Sequence, residues 1–267
     1  MSALISRVLV AIILIPPVLA AAWYGGVAML VLALVAAGFG LHEYFRMARA
    51  LRPISLCGYA GAAGVVVAAY ESSIPWTLAS VLATMLATFL VIAAVSVRES
   101  ALASLGVTVL GVVWIGYGVA FPVLLRGLHG PNHFGFNVLL AVLIGTWASD
   151  IFAYFGGRLF GRHRLAPAIS PNKTVEGFVI GLVFGTAAAW FTLYDQRLSG
   201  LQALEVALAI ALAGPLGDLF ESFVKRDLNV KDSGTLLGGH GGVLDRIDAL
   251  LFSSAAAFFA LVALGRA

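Results

Sequence analysis

Residues 203–227 read ALEVALAIALAGPLGDLFESFVKRD, and the fold follows from this stretch. From Ala203 to Gly217 the only ionisable residue is Glu205; charge returns at Asp218 and crowds the positions after it. A run of this kind, centred near Ala209, reads as a helix that crosses lipid. Eight further runs centre near Ile13, Leu34, Val65, Ala87, Val113, Leu143, Val183 and Phe258. The 267-residue chain is 61% hydrophobic and 11% charged, with mean hydropathy +1.01, whereas soluble domains carry roughly 25% charged residues. At about 20 apolar residues per crossing, this length holds roughly eight to ten spans and no sizeable soluble domain.

The expected fold class is therefore all-α, a polytopic integral membrane protein with about nine transmembrane helices. Residues 1–135 supply about five spans, and residues 136–267 about four together with the polar loops. The first run, Val8 to Trp23, follows Arg7 as a signal peptide would. Pro16 and Pro17 interrupt it and a second span follows at once, so it reads as a retained first anchor. The lone Cys57 excludes a disulfide framework and a cysteine metal site. No internal repeat is visible, which weighs against a transporter. Arginine outnumbers lysine 13 to 3 beside abundant alanine, as in chains from GC-rich bacterial genomes.

Alternating the loops between two sides gathers Arg7, Arg46, Arg49, Arg52, Arg98, Arg158, Arg162, Arg164, Lys173, Lys225, Arg226, Lys231 and Arg246, which is 13 of the 16 basic residues. Arg126, Arg197 and Arg266 fall opposite. The positive-inside rule then predicts a cytoplasmic N-terminus. Both long loops, Arg158 to Glu176 and Glu221 to Asp248, face the cytosol in that arrangement, and the expected location is the bacterial inner membrane.

Acidic residues are scarce, so their grouping carries information. Asp218, Glu221, Asp227, Asp232, Asp245 and Asp248 are six of 13 carboxylates, gathered within 31 residues among Lys225, Arg226, Lys231, His240 and Arg246. A surface that merely binds phospholipid would be basic without so many acids; a metal–phosphate site needs both signs. Helical spacing puts Asp218 and Ser222 on one face, and Asp245 and Asp248 on another. Mg²⁺ takes one or two carboxylates beside phosphate oxygens, so Asp218 and Asp245 form a candidate metal pair. Between them, Gly238-Gly239-His240-Gly241-Gly242 lets backbone N–H groups approach an anion before a helix start. It lacks the Lys-Ser/Thr ending of a Walker loop.

The motif Ser222-x-Val224-Lys225-Arg226, then Lys231-Asp232-x-Gly234, Leu237-Gly238-x-His240-Gly241-Gly242 and Asp245-Arg246-Ile247-Asp248 spans 27 residues. It resembles the signature of phosphatidate cytidylyltransferases, the CDP-diacylglycerol synthases. The stretches Asp150 to Gly157 and Ser170-Pro171-Asn172-Lys173-Thr174-Val175-Glu176-Gly177 also resemble this family. The resemblance implies transfer of cytidylyl from CTP to phosphatidic acid, giving CDP-diacylglycerol and pyrophosphate, with Mg²⁺ and a second cation such as K⁺. The implied catalytic residues are Lys225, Arg226, His240 and Asp245. Ser170, Asn172, Lys173, Thr174, Ser222, Lys231, Gly241 and Arg246 are implied for substrate, Asp218 and Asp245 for metal, and Asp150, Asp232 and Asp248 as additional candidates. The implied partners are CTP, phosphatidic acid, membrane lipids and a second copy of the chain, with no nucleic acid.

Plainer readings stand beside these. Asp150 serves equally as a partner for Arg158 or in helix packing, and Glu205 as a snorkelling side chain. Arg158, Arg162 and Arg164 read first as topology and headgroup charges, as do Arg46, Arg49 and Arg52. Trp23, Trp76 and Trp147 suit interface anchors, and Gly181-x-x-x-Gly185 suits close helix contact. Rival functions are a CTP-dependent polyprenol kinase, an ether-lipid cytidylyltransferase, and a cation-coupled transporter using Asp150 and Asp218. No Asp-Gly-x-x-Ala-Arg element of the CDP-alcohol phosphotransferases is present.

Overall fold

The computed structural model describes residues 15–95, 101–194, 198–234 and 241–267. His240, Gly238, Gly239, Leu237, Arg7, Arg98, Arg197 and the centre of the first run at Ile13 lie outside the described residues. Among the described residues, the helices are α1 (Ile15–Tyr24), α2 (Gly26–Met47), α3 (Ser55–Tyr70), α4 (Ile74–Val95), α5 (Ala101–Gly127), α6 (Phe134–Phe160), α7 (Val175–Leu193), α8 (Gly200–Asp227) and α9 (Leu244–Ala263). Seven are long and apolar enough to cross a membrane; α3 has 16 residues, and α1 is also short. The protein is an all-α polytopic membrane protein, and each predicted centre from Leu34 to Phe258 falls inside a helix.

The chain forms two compact units, Met1–Leu124 with Val230–Arg246, and Leu125–Asn229 with Ile247–Ala267. In the first, α4 keeps only 17% of its apolar window buried and turns Leu82, Leu86, Phe89 and Leu90 outward, as a lipid-facing span does. The C-terminal end of α2 is its opposite: Leu41, Glu43, Tyr44 and Phe45 are buried, and Tyr44 packs edge-on to Trp114 with ring centroids 5.6 Å apart. Trp114 sits in a five-residue π-helical turn, Val112–Gly116, inside α5. The Ile54 amide donates to Thr108 Oγ1 at 2.9 Å, and the Ser104 hydroxyl donates to the Arg52 carbonyl, so the α2–α3 turn is tied to α5.

In the second unit, α6 and α7 are joined by a hairpin of β1 (Arg164–Ala166) and β2 (Ser170–Thr174), antiparallel, with Arg164 opposite Thr174 and Ala166 opposite Ser170. Sequence reading treats this stretch only as a loop. Thr174 ends the strand and caps α7, its Oγ1 accepting the Gly177 amide at 3.1 Å. Gly177, Gly181 and Gly185 then form a stripe along α7. A Cβ on Gly177 would lie 2.6 Å from the Ala153 carbonyl oxygen, and one on Gly181 2.6 Å from that of Ser149. The small-residue motif is thus used inside the chain, in the α6–α7 seam. Helix α8 opens on a capping box in which Ser199 Oγ accepts the Gln202 amide and Gln202 Oε1 accepts that of Ser199. The core of this unit joins Val138, Val142, Ala189, Leu193, Val206, Ile210 and Leu261.

Candidate active site

Within the second unit, α6, the hairpin, α7 and α8 enclose a cavity of about 700 Å³. Its wall combines acid, base and apolar surface. Asp150 enters from α6 and Asp218 from α8, three residues after Pro215, which also lines it. The basic contribution is Arg158, Arg162, Arg164 and Lys173, joined by Asn172, Thr174, Tyr154 and Phe178. Lys173 Nζ lies 2.7 Å from Asp218 Oδ2, both side chains being partly exposed. Ser222, one turn on, donates its hydroxyl to Asp218 Oδ1 at 3.4 Å. Asp150 lies within electrostatic range of Asp218, Asp248 and Lys173.

The hairpin end of the cavity is held by Glu176. Its carboxylate accepts the Arg162 amide at 3.0 Å and the His163 amide at 3.2 Å, and lies 2.6 Å from His163 Nδ1. That fixes the turn from which Arg162 and Arg164 project. Arg158 Nη1 donates to Tyr154 Oη at 3.3 Å on the α6 side. Arg226 lies at the end of α8 and donates Nε to the Ile169 carbonyl at 3.3 Å, tying that helix to the hairpin turn.

Lys225 takes another direction. Its Nζ is 3.4 Å from Oε2 of Glu221, which is fully buried and lies near the Asp248 side chain. Asp248 is itself buried, and its Oδ1 accepts the Ala249 amide at 2.8 Å. Two carboxyl groups thus share one buried patch with the Lys225 ammonium, whose charge offsets the cost of an ionised carboxylate there.

The rest of the signature belongs to the first unit. Asp245, in the first turn of α9, accepts the Gly242 amide at 2.7 Å, the Ser233 hydroxyl at 2.8 Å and the Ser233 amide at 3.1 Å, all at Oδ2. Gly241 has φ +75°, and a Cβ there would strike Asp245 Oδ2, so glycine is required twice over. Lys231, Asp232 and Arg246 are exposed, and Ser170 is half-buried on β2 outside the cavity lining.

Of the residues singled out from sequence, Asp150, Asn172, Lys173, Thr174 and Asp218 line this cavity and Ser222 bonds to Asp218, while Asp245, expected to pair with Asp218, belongs to the first unit. Sequence reading gives less weight to Arg158, Arg162 and Arg164, which also line the cavity. It misses Glu43, a carboxylate near the end of the second span, although the rule that flags Asp150 applies equally to it. Among the described residues, no group of three or more His, Cys, Asp or Glu is gathered as a metal site.

Comparison with known proteins gives one family and a consistent set of relatives. Residues 5–264 match the model of the cytidylyltransferase family. The chain is 34% identical over 252 residues to the phosphatidate cytidylyltransferase of Staphylococcus aureus strain COL, covering 92% of this chain and 94% of the relative. Proteins of the same name from Staphylococcus haemolyticus and Haemophilus influenzae are 39% identical over 145 residues and 45% identical over 140 residues. Those matches cover 54% of each chain for the first, and 49% of this chain and 46% of the relative for the second.

Proposed function

The chain belongs to the cytidylyltransferase family, and from that premise we propose that it transfers cytidylyl from CTP to phosphatidic acid, yielding CDP-diacylglycerol and pyrophosphate, with the cavity between α6 and α8 holding the reacting phosphates. The observation that carries this reading is the composition of that cavity wall, where three arginines and a lysine face two aspartates. Its volume, about 700 Å³, suits a nucleotide-sized ligand.

The chemistry asks little of a base. A phosphate monoester oxygen of phosphatidic acid attacks the α-phosphorus of CTP, a new P–O bond forms, and the bond to the β-phosphate oxygen breaks with pyrophosphate leaving. The nucleophile is already anionic near neutral pH, so the protein must mainly align and neutralise. Lys173, Arg158, Arg162 and Arg164 supply fixed positive charge along one wall, and Asn172 a hydrogen-bonding side chain. Arginine presents a planar fork suited to bidentate phosphate contact; lysine acts as a point charge. The Thr174 hydroxyl is engaged in capping α7.

Hard oxygen donors in a phosphate cavity fit Mg²⁺, which takes few protein carboxylates. Asp218, with Asp150 on the same wall, would hold it, and the ion would draw charge from the α-phosphate and the departing pyrophosphate. Asp245 and a second cation such as K⁺ belong to the same proposal. We place the cavity on the cytosolic side of a bacterial inner membrane, as the asymmetry of basic residues supports. Membrane lipids and a second copy of the chain complete the partners; light scattering of detergent-purified protein measures the latter.

The deciding experiment incubates purified protein with CTP, phosphatidic acid and Mg²⁺ and separates the lipid products. CDP-diacylglycerol with stoichiometric pyrophosphate is expected. A phosphorylated polyprenol formed from added polyprenol, with phosphatidic acid untouched, would overturn the reading.

A further inference from the structure

Glu43 lies four residues before Met47, the last residue of α2, and is 1% exposed. A carboxylate buried so completely is tolerated only when its oxygens are saturated. Oε1 accepts the Val243 amide at 2.9 Å; Oε2 accepts the Leu244 amide at 2.8 Å and the Ser233 hydroxyl at 3.1 Å. These donors come from the two ends of one stretch of signature sequence, Ser233 before it and Val243 and Leu244 after it. The same carboxylate explains two glycines in that motif. A Cβ on Gly234 would lie 2.8 Å from Glu43 Oε1, and one on Gly242 would strike Oε2.

Ser233 is also the chief partner of Asp245, to which its amide donates and whose Oδ2 lies 2.8 Å from its hydroxyl; the single hydroxyl proton serves one of the two carboxylates at a time, and Gly242 gives Asp245 its amide as well. Glu43 therefore grips the residues that grip Asp245.

We propose that Glu43 is a positioning residue for cytidylyl transfer, fixing both ends of the signature segment against α2 and so holding Asp245 and the start of α9 in register. This rests on the reading of the chain as a cytidylyltransferase with Asp245 at its reaction site. Glutamine is nearly isosteric with glutamate, yet it cannot serve. The Val243 and Leu244 N–H groups each take a different carboxylate oxygen, and an amide offers one oxygen and an NH₂ that must face one of those N–H groups.

The test compares wild type, Glu43→Gln, Ser233→Ala and the double variant in detergent, reading kcat and KM for CTP, thermal melting, and amide exchange of Val243 and Leu244. Glu43→Gln is expected to lower kcat about 10- to 100-fold, the scale of changes behind a reacting group, and to speed exchange at Val243 and Leu244 while α3 keeps its protection. KM for CTP should stay within about 3-fold, since CTP is not what Glu43 touches. Ser233→Ala should cost less, and the double variant less than the product of the two, because both act through one network. Wild-type kcat in folded Glu43→Gln overturns the proposal, as does uniformly faster exchange across α2 and α3 with kcat per folded molecule unchanged. If Glu43→Gln does not fold, Ser233→Ala decides alone, and unaltered kcat with unaltered exchange refutes the idea. A wild-type chain without transferase activity would instead refute the underlying assignment.

Discussion

Replacing Lys173 by methionine keeps most of the unbranched side chain and removes its charge from the cavity wall. In the resting protein its partner is Asp218, 2.7 Å away, with 26% and 37% of the two side chains exposed. Coulomb's law at that separation gives about 1.5 kcal/mol in water and about 6 kcal/mol at an effective dielectric constant of 20. Exposure of both groups moves the pair toward the lower figure and ordering of the side chains removes part of that, leaving about 1 kcal/mol or less for stability. Charge moving onto departing pyrophosphate makes a stronger demand, and losing one fixed group aimed at it costs about 3–4 kcal/mol, or roughly 10²- to 10³-fold in turnover. Lys173→Met should therefore melt within a few degrees of wild type while kcat/KM for CTP falls by two to three orders of magnitude (about 10²- to 10³-fold). The assay follows labelled CTP into lipid in mixed micelles of phosphatidic acid, beside a melting curve on the same preparation. A variant that melts normally and keeps kcat/KM within about 3-fold would show that the phosphates sit elsewhere.

Asp218→Asn and Asp245→Asn should each lower turnover about 100-fold or more, and buried Asp248→Asn about 10- to 100-fold. Mg²⁺ titrations of the three will check this, and the reverse order would move the metal to Asp248. Arg226→Lys loses the bond to the Ile169 carbonyl along with the planar fork; kcat/KM should drop clearly, further with alanine, and parity with wild type would remove Arg226 from the site. Gly181→Leu drives a side chain into the Ser149 carbonyl and should destabilise by about 1–3 kcal/mol; an unchanged melting temperature would contradict the α6–α7 seam. Cysteines placed at 162 and 231, with Cys57 removed, should escape an impermeant maleimide applied to intact cells; labelling of both would reverse the proposed orientation.

The apolar runs make the helices legible because the bilayer demands long uncharged segments, and Leu34, Ala87 and Ala209 each fall inside a helix of spanning length. The chemical residue types are legible too: Asp218, Ser222 and Lys173 are named by sequence alone, and Lys173 and Ser222 both reach Asp218. What hides is contact between residues far apart in the chain. A carboxylate near the end of a span marks Glu43 as notable, but its role is hidden because its partners lie 190 to 201 positions away. Lys225 and Arg226 are neighbours of like charge and look alike on paper. Helical geometry sends one to Glu221 and leaves the other free to reach the hairpin. The hairpin itself carries no strong strand signal, since three residues pair with five around a register irregularity.

The Lys173–Asp218 pair makes the cavity partly self-neutralising, and reciprocity follows. An anion that draws Lys173 to itself strips Asp218 of its counter-ion and readies it for a cation; a cation on Asp218 releases Lys173 for an anion. Thermodynamic linkage requires the two effects to be equal, so each ligand raises the affinity for the other by one common factor, about 5-fold for a coupling of about 1 kcal/mol. On the proposed reading, nucleotide and divalent ion would each bind more weakly alone than together. A site closed by its own ion pair is thus cooperative between unlike ligands, with no movement of a helix required.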